Sequence, residues 1–301
     1  MKTFTRPVWL RKKMHYSQYR TLQHYFNKAQ LHTVCREAHC PNMGECFSRG
    51  VATFLILGDR CTRRCRFCAV QKAVPLPLDA DEPQRIAEAV MRLRLRHAVI
   101  TSVTRDDLPD GGAAAFAGLT ALLRSRLPAL AVELLVPDFQ GDPAAVQAVV
   151  DAGPDIFAHN LETVPRLYES VRLDAVYRRS LAVLSAARRA GCRFLKSGLM
   201  LGMGETSDEV LHVLKDLRAV SCDFLSLGQY LSPSPAHYPV QRFLLPAEFE
   251  EYRGLALQLG FRHVESGPYV RSSYRAADYL LPDLEKQPPA VMEQPQGETA
   301  G

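Results

Sequence analysis

Six of the eight cysteines fall between Cys35 and Cys68, and their spacing sorts them into two triplets. Cys35, Cys40 and Cys46 read C-x4-C-x5-C within CREAHCPNMGEC, and Cys61, Cys65 and Cys68 read C-x3-C-x2-C within CTRRCRFC. Disulfides are one use for such a crowd, but a chain of 301 residues with no secretory h-region is a poor disulfide scaffold. Structural zinc takes four ligands, usually from C-x2-C pairs, and two triplets do not divide that way. A ferredoxin-type cluster also needs four cysteines. Three thiolates on an iron–sulfide cubane leave one iron without a cysteine, open to a substrate or cofactor. That arrangement favours chemistry at the metal over storage of electrons.

An open metal site must be held by a scaffold, and the surrounding sequence supplies one. The apolar run Thr53-Phe-Leu-Ile-Leu-Gly58 precedes the second triplet and reads as a buried strand. Further strands are expected at 98–103, 131–136, 155–159, 193–199, 224–229 and, more weakly, 261–265. Amphipathic segments at 83–95, 112–126, 143–152, 177–190, 207–219 and 247–259 read as helices between them. Asp81-Glu-Pro and Thr206-Ser-Asp-Glu209 carry the acids, proline and hydroxyl of helix N-termini. Strand followed by helix, six times over, means parallel strands with right-handed crossovers. A complete barrel needs eight such units in about 250 residues, so the expected fold is α/β, a partial (β/α)6 TIM-type barrel.

In a barrel of this kind the active site lies at the carboxyl ends of the strands. Polar residues collect there: Thr101 to Asp107, His159 to Glu162, Lys196-Ser197 and Gln229-Tyr230. Each alone reads as a capped helix or a satisfied loop; a cluster after nearly every strand does not. The chain divides into an N-terminal extension (1–50), the barrel (51–265), a C-terminal segment (266–281) and a tail (282–301). The tail, with its prolines, glutamine and glycine and few apolar residues, is expected to be disordered. Cys192 and Cys222 match no cluster spacing and are expected to be buried free thiols.

Composition narrows the class. With 47% hydrophobic and 23% charged residues the chain is globular, and no apolar run approaches the roughly 18–20 residues of a membrane span. The formal charge of +5 is uneven: residues 1–36 hold eight basic residues and no acid. Reduced thiols and the missing secretory signal point to the cytoplasm.

The C-x3-C-x2-C triplet is the fingerprint of the radical S-adenosylmethionine (SAM) superfamily, and the chain as a whole resembles the lipoyl synthase family. The resemblance runs over about residues 6–281. It is carried in order by RPVWLRKK, CREAHCPNMGEC, ATFLILGDRCTRRCRFCAV, ITSVTRDDLPDGGA, VPDFQGD, HNLETVPRLY, KSGLMLGMGET, LGQYLSPS and SGPYVRSSYRA. It implies two 4Fe–4S clusters per chain. Cys61, Cys65 and Cys68 would hold the cluster that binds SAM. Cys35, Cys40 and Cys46, joined by Ser273 of the RSSY motif, would hold an auxiliary cluster between the N- and C-terminal extensions. Read without the family, Ser272 and Ser273 are helix caps. Phe67, Asp107, Asn160 and Glu162 are candidate SAM contacts. The chain departs from the family pattern at Arg36, Phe47, Thr104 and Ala158, and the last two lie in loops expected to face SAM.

The resemblance also implies the reaction. Reductive cleavage of SAM gives a radical that takes hydrogen from C6 and C8 of a protein-bound octanoyl-lysine. Both carbons receive sulfur from the auxiliary cluster, which is consumed. General acids and bases cannot activate such C–H bonds, since these have no acidity to exploit. Implied partners are octanoylated carrier domains, namely 2-oxoacid dehydrogenase E2 subunits and the glycine-cleavage H protein, with a reduced ferredoxin or flavodoxin as electron donor. Neither nucleic acid nor membrane is expected as a partner. The basic N-terminus then reads as a docking surface for an acidic carrier. The rivals are another radical SAM sulfurtransferase, for example one methylthiolating tRNA, and a non-catalytic zinc protein.

Overall fold

Each apolar run sends alternate side chains to opposite faces of a sheet, and in the computed structural model both faces of that sheet are used. The structure describes residues 7–10, 24–34, 42, 45–46 and 51–280; Cys35, Cys40 and the tail expected to be disordered lie outside them. The main sheet joins β1 (His32–Thr33), β2 (Val51–Ile56), β5 (His97–Ser102), β6 (Ala131–Leu135), β7 (Ile156–Ala158), β8 (Phe194–Leu201), β9 (Phe224–Gln229) and β10 (His263–Gly267), in that order. A short ribbon of β3 (Arg60–Cys61) and β4 (Gln71–Lys72) stands apart. In the main sheet all pairings from β2 to β10 are parallel, and among the described residues only β1 runs antiparallel.

Six helices make the crossovers: α1 (Glu82–Arg92), α2 (Ala113–Arg126), α3 (Pro143–Asp151), α4 (Tyr177–Arg189), α5 (Ser207–Ala219) and α6 (Pro246–Gln258). The six expected units are therefore present, followed by β10 as a seventh parallel strand, with β1 as an edge strand the sequence did not announce. Thr206 and Glu209 close the expected capping box on α5. Asp81 makes no side-chain cap on α1. Instead Glu82 turns inward and accepts the Leu57 backbone N–H at 2.8 Å.

Side chains such as Phe54, Ile100, Leu134, Phe157, Leu195 and Leu225 face the helices and form the main core. The opposite face is closed by the chain's own C-terminal segment. Ala276 packs on Val51 of β2 and Val99 of β5, while Tyr279 and Leu280 pack on Ile156, Phe194 and Phe224 of β7, β8 and β9. In a flat sheet β2 and β9 would lie about 24 Å apart, yet one turn of 3-10 helix, Ala276–Tyr279, touches both. The sheet is therefore curled into an open half-barrel, and the turn plugs the amino ends of its strands. Gly228 permits the segment to enter: a Cβ there would sit 2.1 Å from the Val270 carbonyl oxygen.

Lys196 corrects the sequence reading. It lies in the third position of β8, fully buried in the half-barrel, and not at the carboxyl end of its strand. Its Nζ donates to both carboxylate oxygens of buried Glu133, at 2.9 and 3.2 Å. His97 lies 3.4 Å from the same carboxylate. Removing one member of a buried pair strands the other charge, at a cost of about 3–5 kcal/mol. Lys196→Met should therefore lower the thermal midpoint sharply, and Glu133→Gln/Lys196→Met should recover most of the loss. A double variant as unstable as the single one would contradict this account.

Candidate active site

The loop carrying the second triplet starts where β2 ends, at two residues with left-handed backbone, Leu57 (φ 68) and Gly58 (φ 89). The Glu82 carboxylate secures that turn from behind. Cys61 ends β3, and β3 pairs with β4 beyond Cys68, so the ribbon closes the loop. The residues between the cysteines are tied to the ends of the neighbouring strands. Thr62 donates to the Thr104 carbonyl from both its amide (3.1 Å) and its hydroxyl (3.0 Å). Arg63 donates to Asp106 at 2.7 and 2.9 Å and to Asp138 at 2.5 Å. Arg64 pairs with Asp174, and the Arg66 amide donates to Val171. A strap from the loop after β9 covers the outside: the Tyr238 amide donates to the Arg66 carbonyl, and His237 Nε2–H to that of Cys68.

Arg63 is the main anchor. It is buried, as is Asp138, and a guanidinium can serve two carboxylates in one plane. Burial raises the thiol pKa of Cys65, with Arg172 partly opposing it, and raises that of Cys68 to about 11. The thiols of Cys61 and Cys65 each add to the shift at Cys68. Among the described residues no three His, Cys, Asp or Glu side chains converge as the ligands of a single ion would. A cubane holds its thiolates on separate irons, and a soft, three-sulfur donor set on one pre-folded loop fits it.

Facing this loop are the ends of β6, β7 and β8. Arg172 is buried and donates to the carbonyls of Asn160 (3.0 Å) and Leu161 (3.1 Å) and to the Tyr168 hydroxyl (2.9 Å). Its Nε is buried and has no partner. Glu162 adopts φ 65, and burial raises its pKa against the pull of Arg172 and the Asn160 amide. Asn160 Nδ2 donates to Glu162 at 3.0 Å and to Ser272 Oγ at 2.5 Å. His159 is buried; its Nδ1–H donates to the Val136 carbonyl, and desolvation, reinforced by Arg172, lowers its pKa to about 4.

The sequence candidates are thus distributed unevenly. Asn160 and Glu162 do meet, beside Arg172. Phe67 is half-buried and packed on the main core. The Asp107 carboxylate is engaged by Arg105 at 2.8 and 2.9 Å, which holds its pKa down. Ser272 bonds Asn160, and neither serine caps the following turn, whose N-cap is Arg275. Cys46 is half-buried against the cluster of Val51, Val99 and Ala276. Its neighbour Glu45 accepts from the Tyr274 hydroxyl at 2.9 Å, and Asn42 donates to the Tyr269 carbonyl at 2.5 Å. Cys192 and Cys222 are buried free thiols, as expected, and burial raises Cys222 to about 12. Sequence reasoning missed Arg63, Asp138, Glu82 and Arg172. Arg63 carried a signal, a charged residue enclosed within a cysteine motif.

The family model of the Radical SAM superfamily matches residues 55–217. Lipoyl synthase of Geotalea uraniireducens (strain Rf4) is 57% identical over 280 residues, 93% of this chain and 99% of its own length. Lipoyl synthase of Trichlorobacter lovleyi is 58% identical over 281 residues, covering 93% of this chain and 100% of its own. Among solved structures, methylornithine synthase superposes with a TM-score of 0.56 at 14% identity, over 80% of this chain and 82% of that one. The FeFe-hydrogenase maturase HydG gives 0.55 at 12%, over 71% and 56%. At such identities the likeness is one of fold.

Arg63→Lys keeps the charge but loses the planar fork, so its loop should hold no more than about half the parent's iron after anaerobic reconstitution. Equal loading would show that Asp106 and Asp138 do not set the loop. His159 is neutral in the folded chain, with a pKa of about 4 against an ordinary value near 6.5. Its contribution to stability is therefore complete above pH 6.5 and declines as the pH falls towards 4, because the unfolded state then binds the proton first. Imidazole titration of the metal-free chain by NMR should find a midpoint near 4; an ordinary midpoint would refute the buried, donor-to-Val136 geometry.

Proposed function

The chain belongs to the lipoyl synthase family of radical SAM sulfur-inserting enzymes, and we propose that its residues divide the work of that reaction between the cysteine loop after β2 and the RSSY segment after β10. The family brings a 4Fe–4S cluster and SAM. Cys61, Cys65 and Cys68 are the residues that would hold that cluster. Cys35, Cys40, Cys46 and Ser273 would hold a second. When bound, these groups supply hydrogen-atom abstraction at an unactivated C–H bond and the sulfur that takes its place.

The protein's own contribution is position and exclusion of water. Arg63 fixes the cysteine loop on Asp106 and Asp138. Arg172, with a buried Nε unpartnered, offers a cation to an anionic group beside Cys65. Asn160 and Glu162 present an amide and a carboxyl to the same space. His159, neutral and committed to Val136, moves no proton. Above the Lys196 layer the inward positions of the last four strands are Ala158, Gly198, Met200, Ser226, Gly228, Glu265 and Gly267. Five of these seven are small, which suits a slim acyl chain such as octanoyl-lysine on a carrier domain. The same carriers, and a ferredoxin or flavodoxin as reductant, are the partners this reading requires.

The observation that carries the residue assignment is the Asn160–Ser272 hydrogen bond, which joins the SAM side of the barrel to the RSSY segment. With SAM and a reductant, the reconstituted protein should convert an octanoylated carrier domain to a product two sulfurs heavier by mass spectrometry. Ser273→Ala should release methionine from SAM but insert little sulfur. Unchanged octanoyl substrate together with SAM cleavage on an RNA would favour the tRNA-modifying rival.

A further inference from the structure

The short turn Ala276–Tyr279 cannot hold its own shape, since four residues of 3-10 helix gain too few hydrogen bonds to offset their ordering. What seats it is Tyr279. The ring centroid lies 3.8 Å from Lys196 Nζ, 5.3 Å from the Phe224 ring and 4.6 Å from the His263 ring. The Tyr279 hydroxyl donates to the Leu225 carbonyl at 3.3 Å. Lys196 has three N–H donors, and Glu133 takes two of them. The third faces a site closed to water, where the electron-rich face of an aromatic ring is a suitable acceptor. A specific charge thus calls for a specific ring, and the ring belongs to the segment that carries RSSY.

Upstream of Tyr279 the same segment makes bonds in two directions. Tyr274 bonds Glu45, next to Cys46, and Ser272 bonds Asn160 at the end of β7. Ser273 lies between these two contacts. We propose that Ala276–Tyr279 is a latch: Tyr279, docked on Lys196, is a positioning residue that holds Ser273 beside the Tyr274–Glu45 contact, next to Cys46. The inference rests on the assignment of Ser273 given above and adds the device that places it. Tyr279 touches none of the reacting groups and acts only through the segment.

The test compares Tyr279→Leu, Tyr279→Ala and Tyr279→Phe in the reconstituted full chain. Leu retains apolar volume, so the test stands if the Ala variant does not fold. In the Leu variant, amides of residues 270–278 should exchange at least about tenfold faster, while those of β5 and β6 keep their protection. Methionine release from SAM should stay within about twofold of the parent, and doubly sulfurated product should fall below about a tenth, because only the latched half of the site is disturbed. Phe keeps the ring and loses one long hydrogen bond, so it should restore both exchange protection and sulfur insertion.

Unchanged exchange at 270–278 in the Leu variant would overturn the latch. Faster exchange with full sulfur insertion would overturn its positioning role. Parallel loss of methionine release and insertion would reduce Tyr279 to general core support and overturn the proposal as well. Ser273→Ala in the same assays separates the two levels. Full insertion by that variant sinks the serine assignment whatever Tyr279 does, whereas impaired insertion beside a normal Leu variant sinks only the latch.

Discussion

Lys196 and Glu133 place opposite charges inside a half-barrel where neither reaches water, and the rest of the site is arranged around that pair. At 2.9 Å their attraction is worth about 6 kcal/mol at an effective dielectric near 20, and losing two hydration shells costs several kcal/mol per ion. The two terms nearly cancel, so the pair confers little net stability. Its effect is selective. Whatever covers it must be apolar at the rim and able to accept a donor at the centre, and Tyr279 meets both conditions. The aromatic rings of Phe194 and Phe224 complete the rim. Filling the amino ends of the strands in this way leaves the carboxyl ends open.

At those open ends the order is imposed from outside the barrel. The cysteine loop is bound to β5, β6 and the segment before α4 through Thr62, Arg63, Arg64 and Arg66, and the Tyr238 strap closes over it. The loop and the RSSY segment therefore have separate supports, one on Asp106 and Asp138, the other on Lys196. They meet at Asn160, whose side chain reaches Ser272 and whose carbonyl is held by Arg172. Independent anchors permit one side to change without releasing the other.

The strands and helices were legible in the sequence because parallel strands buried on both faces read as apolar runs, and each run from 53–58 to 224–229 became a strand within a few residues. The second cysteine triplet was legible because its spacing is local: C-x3-C-x2-C is a property of one loop. Lys196 was misplaced because its role depends on Glu133, in a strand two positions away, and no periodicity reports such a partner. Arg172 and Asp138 were missed for the same reason, since charges that meet across loops leave no spacing. β1 was invisible because a two-residue edge strand carries no pattern. Asp107 stood out as a loop acid, and the neighbour that claims it, Arg105, is too common a residue type to have signalled the pairing.

Two serines before a helical turn read as caps, and such a cap is worth about 1 kcal/mol. Here that gain is forgone. The turn begins at Arg275 with a left-handed φ of 52 and no capping side chain, which for a residue other than glycine costs on the order of 1 kcal/mol. Ser272 is instead turned away to Asn160. Locally the segment is less stable than its sequence permits, and burial of Tyr279 and Leu280, at about 1.5–3 kcal/mol for each large side chain, is sufficient to offset the loss. A segment that gives up its local stability and regains it at a distant anchor has its serines free for other bonds. That is the physical condition under which a hydroxyl can serve as a ligand while its sequence still looks like a helix start.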